Sequence, residues 1–264
     1  MTQTNIQDTN LENYDNFPDV IIFFGPPASG KGTQARLLSE KLPNYVHLDF
    51  GGQLREFVKL TLGSYPELSE IRKKSFLQSQ DENIEIALSL RDSMIKGQPV
   101  KSEYLWKIVS KTIDKAIKDG KKLILEGIGR TYEDGRKFGK LAFDNKLTVC
   151  IFHIYISPEQ SVSRANQRYY APGSSHPHGN YNQALLECKN KDLPYQRPED
   201  TNSEVIMDRY NKVYANIFAK VISTMQIESK GRLFIIDGQD SVSDVYKHIW
   251  KYLQIYYNSI SIFK

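Results

Sequence analysis

The residues most able to do chemistry are one lysine, a few glycines and a scattered set of arginines. Lys31 sits in Gly25-Pro-Pro-Ala-Ser-Gly30-Lys31-Gly32-Thr33, which has the spacing G-x-x-x-x-G-K. Glycines at 25, 30 and 32 let the backbone turn so that successive N–H groups point at one centre. A helix starting directly after them presents its N-terminus to the same centre, which favours an anion. The lysine adds a mobile positive charge. Ala28, Ser29, Gly30, Lys31, Gly32 and Thr33 are therefore expected to hold a phosphate chain, with Thr33 helping to hold Mg²⁺. The common form of this loop places Ser or Thr directly after the lysine. Here Gly32 stands there and Thr33 comes one place later.

A phosphate loop alone does not distinguish hydrolysis, switching and transfer. The arginines are more informative. Arg55 closes the segment His47-Leu-Asp-Phe-Gly-Gly-Gln-Leu, and Arg130 follows Leu125-Glu-Gly-Ile-Gly129. Arg164 and Arg168 are four apart and would share one face of a helix. Arg197 and Arg209 flank the exit of an irregular stretch. A single arginine is most often a solvated surface charge. This set lies beside strand ends and loop margins, where phosphoryl transfer needs it. That reaction asks for alignment and neutralised charge more than for covalent chemistry. Forked guanidinium groups supply both through two-point contacts to phosphate oxygens.

The elements that must position these groups are readable as apolar runs. Segment 20–24 is a run of β-branched and aromatic residues without alternation, as suits a strand covered on both faces, and 45–48, 121–126, 147–156 and 232–237 read as four further strands. Helical patterns lie between them, from 31 to 41 and over most of 53–118, broken at Gly63-Ser-Tyr-Pro66 and Lys96-Gly-Gln-Pro99. The alternation predicts an α/β fold with a parallel sheet, whose ligands bind at the carboxyl ends of the strands. Residues 169–196 are irregular and read as a functional lid. The expected organisation is a flexible leader at 1–18 and a core at 19–250. The core contains a helical segment at 50–100 and the lid at 169–196, and a C-terminal tail at 251–264 follows.

Composition sets the outer bounds. With 264 residues, 40% of them hydrophobic, the chain can form one large α/β domain with appendages or two small domains. The net charge of +4 suits an anionic small molecule and is too weak to argue for nucleic acid. Two cysteines, Cys150 and Cys188, give no disulfide framework, so a reducing cytoplasm is expected. The polar first residues lack a signal-peptide pattern, and no window is apolar enough to span a bilayer. Partners are expected to be small molecules, with neither nucleic acid nor membrane, and the chain to be a monomer. His176, His178 and Cys188 do not meet the count or spacing of a structural zinc site. Trp250–Tyr257 reads as a helix end docked on the core.

Taken in order, these segments resemble the adenylate kinases and related nucleoside monophosphate kinases. GPPASGKGTQ is similar to GxPGxGKGTQ, and HLDFGGQLR to I-S-T-G-D-x-L-R. LEGIGRT resembles L-D-G-F-P-R-T, and Arg164 with Arg168 the R-x-x-x-R that opens the family's lid. Arg197-Pro-Glu-Asp200 with Arg209, and Phe234-Ile-Ile-Asp-Gly238, resemble the segments that close the lid and end the last strand. The resemblance implies a P-loop NTPase three-layer α/β/α fold with a central five-stranded parallel sheet, a monophosphate-binding helical insertion and a short lid.

The activity it implies is Mg²⁺-dependent transfer from ATP to AMP, giving two ADP. Residues 28–33, Arg164, Arg168 and Gln239 would bind ATP. Phe50, Arg55, Gln98, Val100, Gly127, Arg130, Asp134, Arg197 and Arg209 would bind AMP. The catalytic set would be Lys31, Arg130, Arg164, Arg168, Arg197 and Arg209, with Glu126 holding Mg²⁺ through water.

The departures from the family pattern cluster on the acceptor side. Phe50 replaces a Thr, Asp134 the Gln that reads the acceptor adenine, Gly129 a Pro and Gly52 an Asp. The stretch from Arg55 to Gly97 is also longer than the family's common form. A polar group facing a base is what discriminates bases, so a kinase for CMP or UMP stays open. From another class, a nucleotide-binding regulatory protein that has lost transfer stays open too.

Overall fold

The computed structural model describes residues 14, 16–63, 69, 72, 75, 76, 78, 80–174, 176–189 and 191–261. In chain order the elements are β1 (Val20–Phe24), α1 (Lys31–Lys41), β2 (Tyr45–Asp49), α2 (Phe50–Leu62), α3 (Glu82–Ile95) and α4 (Ser102–Lys118). Then come β3 (Lys122–Glu126), α5 (Tyr132–Asp144), β4 (Val149–Tyr155), α6 (Pro158–Asn166), β5 (Tyr169–Tyr170), β6 (Pro177–His178) and α7 (Tyr181–Leu185). The last are α8 (Pro198–Thr201), α9 (Ser203–Asp208), a π-helical stretch (Arg209–Ala215), α10 (Phe218–Ser229), β7 (Arg232–Asp237) and α11 (Val242–Ser261).

Five strands form one parallel sheet in the order β2-β3-β1-β4-β7. The expected P-loop α/β architecture is therefore present, with helices on both faces of the sheet. The unalternating strands have a simple cause. In β1, Val20, Ile22 and Phe24 face one hydrophobic cluster, while Ile21 and Phe23 face the other. Strand side chains alternate between faces, so a strand with two covered faces needs apolar residues throughout.

The register sets where the strands end. Phe23 and Asp49 both pair with Glu126, so β1, β2 and β3 open their following loops at one level. Glycine matters at the turn after α3. Gly97 has φ 67°, and a Cβ there would lie 2.6 Å from the Arg209 side chain. Only glycine lets this turn adopt that conformation and lets Arg209 pass beside it.

The segment 169–196 folds around a small antiparallel pairing of β5 with β6. Tyr170 and Tyr195 exchange backbone hydrogen bonds of 2.8 and 3.0 Å, which tie its two ends together. At the other end of the molecule, Tyr14 and Phe17 pack edge-on against Trp250. Phe17 is buried, so the chain joins the core before residue 19; residues 1–13 of the expected leader lie outside the described residues. α11 continues without a break through 251, burying Leu253 and Tyr256, so its end is docked rather than separate. Ser64–Pro66 of the expected break also lie outside the described residues. Among the described residues, no helix is long and apolar enough to cross a membrane.

Candidate functional site

The phosphate loop connects β1 to α1. Gly30, at the helix N-cap, is left-handed (φ 94°) and offers no side-chain cap, and the first turn of α1 carries no acidic residue. The opening N–H groups of α1 are thus left for an external anion. The Lys31 ammonium donates to the Pro26 carbonyl at 2.6 Å and lies 3.3 Å from Ser29 Oγ. Burial pushes its pKa down to about 7, and Arg168 adds to the fall, while Glu126 opposes it. A cation held in such a place is stabilised when a phosphate arrives.

A crevice of about 740 Å³ brings most of the expected charges together. Lys31, Arg55, Arg130, Arg168, Arg197 and Arg209 all line it. They are arranged around the short helix α8, whose Glu199 and Asp200 carboxylates are buried. Asp200 lies 3.8 Å from Arg168 and 3.9 Å from Arg209, and accepts the Tyr170 hydroxyl at 2.9 Å. Arg197 stacks 3.7 Å over the Tyr170 ring. Arg55 stands 3.8 Å from Asp49 and 4.0 Å from Glu199. The ion pairs of Arg55, Arg168 and Arg209 are long for direct hydrogen bonds. The carboxylates therefore orient these guanidinium groups mainly through charge at these distances. Burial, then Arg209 and Arg55, push the Arg130 pKa down to about 10, another mark of positive charge in excess.

Arg164 stands slightly apart. It donates to the Gly238 carbonyl at 2.8 Å and lines an adjoining cavity with Ser29, Gly30, Thr33 and Arg168. Ala28 borders both this cavity and the crevice. Gln239 lines neither the crevice nor this cavity; it is exposed, its side-chain oxygen accepting from Gln160 at 3.1 Å.

Glu126 ends β3 inside the crevice, 3.4 Å from His47. A Cβ on Gly32 would come within 2.9 Å of its carboxylate, so the glycine lets Glu126 lie close against the start of α1. Glu126 and Thr33 line the crevice together. This is a set of hard oxygen donors, few in number and next to a phosphate position, which fits Mg²⁺.

The acceptor side is mixed. A second cavity, of about 560 Å³, is lined by Gln98, Gly127, Arg130 and Arg209, as expected, and also by Ile128 and Tyr214. Three expected contacts are not brought there. Phe50 is fully buried and Val100 is buried with it in the core. Asp134 sits in the first turn of α5, buried, its carboxylate accepting the Ser102 hydroxyl at 2.6 Å. None of the three borders the crevice or either neighbouring cavity.

Sequence reading missed the residues that organise the arginines. Asp200 was visible only as part of Arg-Pro-Glu-Asp, and Tyr170 only as a residue of the irregular stretch 169–196. A buried acidic pair directly after a crevice arginine was the available signal. His47 and His176, both facing the crevice region, gave none.

A family model described as AAA domain matches residues 24–89, and one described as Zeta toxin matches residues 96–179. The chain is 25% identical over 232 residues to an adenylate kinase of Chlamydia pneumoniae, covering 88% of this chain and 96% of that one. It is 26% identical over 235 residues to an adenylate kinase of Chloroherpeton thalassium, covering 87% and 95%. An adenylate kinase of Petrotoga mobilis is 24% identical over 242 residues, covering 89% and 97%. The resemblance read from separate motifs thus extends along nearly the whole chain.

Proposed function

We propose that this relative of the adenylate kinases transfers the terminal phosphoryl group of ATP to AMP, ATP + AMP ⇌ 2 ADP. The observation that carries the reading is a shared wall. Lys31, Arg130 and Arg209 line both the phosphate crevice and the neighbouring cavity. An ATP on the phosphate loop and a monophosphate in the second cavity would bring their phosphates to the same three cations.

In this reading the N–H groups of 28–33 hold the donor phosphates, aided by Arg164 and Arg168. Arg55 and Arg130 grip the acceptor phosphate. Arg197, stacked on Tyr170, and Arg209 neutralise the charge that spreads over the moving group. Closure of 169–196 over the crevice excludes water, so that ATP is not hydrolysed instead. Glu126, through water, and Thr33 would hold Mg²⁺, which supplies charge neutralisation across the phosphates. The protein is proposed to work on small-molecule nucleotides, as a cytoplasmic monomer.

The burial of Phe50, Val100 and Asp134 favours a second reading, in which the acceptor is CMP, UMP or another monophosphate. Initial rates with ATP, Mg²⁺ and a panel of monophosphates decide between them. AMP is expected to give the highest kcat/KM. A higher value for another acceptor replaces AMP in the reading. ATP binding without ADP from any monophosphate overturns transfer itself.

A further inference from the structure

The second cavity contains a device that its role as a phosphate neighbour does not explain. Arg209 and Tyr214 both line it, although they are five residues apart. In an α-helix such residues project roughly 140° apart. The stretch Arg209–Ala215 is π-helical, and its wider turn brings residues five apart onto nearly one face. The irregularity therefore puts a phosphate-binding guanidinium and a phenol on the same wall.

The phenol is held firmly. Its oxygen lies 2.7 Å from Nε2 of His153, a buried residue of β4. The imidazole is packed 4.0 Å from the Phe218 ring, and its Nδ1 has no hydrogen-bond partner. Burial, helped by Lys31, pushes the His153 pKa down to about 4, so the ring is neutral. An orphaned N–H is the rarer defect in protein interiors, which places the ring proton on Nε2, donating to the Tyr214 oxygen. Burial also pushes the phenol pKa up, so it keeps its own proton. That proton is left to donate to a ligand.

We propose that Tyr214 is a specificity-determining residue of the acceptor cavity, donating its hydroxyl proton to an acceptor atom on the base of a nucleoside monophosphate, with His153 as the positioning residue. The proposal rests on the reading of the chain as a monophosphate kinase. It supplies the base contact that buried Asp134, occupied by Ser102, does not. Arg209 at one end of the wall would take the phosphate while Tyr214 at the other meets the base.

The test compares wild type, Tyr214→Phe, His153→Gln and His153→Phe, with ATP and each of AMP, CMP, UMP and GMP varied in turn. Tyr214→Phe is expected to raise KM for the preferred acceptor about tenfold and narrow its lead over the next acceptor similarly, the scale of one hydrogen bond. KM for ATP should stay within about twofold, because the hydrogen bond of the phenol runs to His153 of β4 and not to the loop at 25–33. His153→Phe should mimic Tyr214→Phe, while His153→Gln, which keeps a donor for the phenol oxygen, restores most of the selectivity. Unchanged selectivity, or equal rises in both KM values, overturns the proposal and leaves the transferase reading standing. If wild type phosphorylates no monophosphate, that reading falls. The proposal is then judged by calorimetric binding of AMP and UMP, where equal affinities for wild type and Tyr214→Phe overturn it. Should Tyr214→Phe fail to fold by circular dichroism, His153→Phe carries the same outcomes.

Discussion

The two halves of the crevice are built on opposite plans. On the phosphate side, charges are buried in excess of their partners. Lys31 and Arg130 sit where burial and neighbouring arginines make a positive charge unfavourable. On the proposed base side, the groups are hydrogen-bonded within the fold: Tyr214, neutral, is held by His153 with its own proton left over, and Asp134, outside the cavity lining, is occupied by Ser102. A site with unbalanced charge binds whatever carries compensating charge, and binds it tightly. A site of neutral hydrogen bonds discriminates between shapes, because a wrong ligand leaves a buried group unpaired. The difference predicts that substitutions on the first side destroy rate, and that substitutions on the second alter stability or choice.

The largest effect tests the first half directly. Lys31→Ala and Arg130→Ala are each expected to lower kcat by about 10²–10³, the scale of removing one group aimed at transition-state charge. Neither should lower the melting temperature, because each removes a cation whose charge is opposed first by burial and then by a neighbouring arginine. Stopped assays read the first part and thermal melts the second. Wild-type turnover in both variants would break the assignment of the crevice. A fall in melting temperature matching the loss of rate would show that these cations support the fold instead.

The same division explains what could be read from the sequence. The loop at 25–33 was legible because its pattern constrains the backbone: a strand, a glycine-bearing turn and a helix start follow one another. Gly32 illustrates this, since it lets the Glu126 carboxylate approach the start of α1 closely. The central strands β1 and β4 were the most legible, because covering both faces of a sheet removes most polar residues from them. The base side was not legible, because side-chain direction there depends on packing between distant elements. Whether Asp134 faces a cavity or Ser102 is decided by how α5 meets α4, which no local pattern in either helix encodes. The pairing of His153 with Tyr214 joins residues 61 apart and was equally invisible.

The next effect is on stability. Asp134→Ala leaves the buried Ser102 hydroxyl without its partner and should cost about 1–3 kcal/mol. Denaturant unfolding would measure this as a lower midpoint with an unchanged slope. Acceptor selectivity should stay within about twofold of wild type, since no ligand contact is removed. If selectivity shifts while the unfolding midpoint holds, Asp134 reads the base after all, and the two halves of the crevice are less different than their charges suggest.

The smallest effect concerns a single proton on the base side. His153 titrates near 6.5 when unfolded and at about 4 in the fold, because burial and then Lys31 oppose its charge. Between those values the unfolded chain binds more protons than the folded one. Stability must then rise with pH across this window and be lost as pH falls through it. This contribution is complete above the unfolded value. His153→Gln removes the titrating group while keeping a hydrogen bond to Tyr214 within reach. Melts at intervals from pH 7.5 to 4.5 should therefore fall less steeply for the variant, by the equivalent of up to one proton. Carboxylates elsewhere titrate equally in both proteins and cancel in the difference. Parallel slopes would mean that His153 keeps its charge inside the fold. In that case Nε2–H still donates to the phenol, but the base side shares the buried positive charge of the phosphate side. The contrast between the two halves would then rest on Asp134 alone.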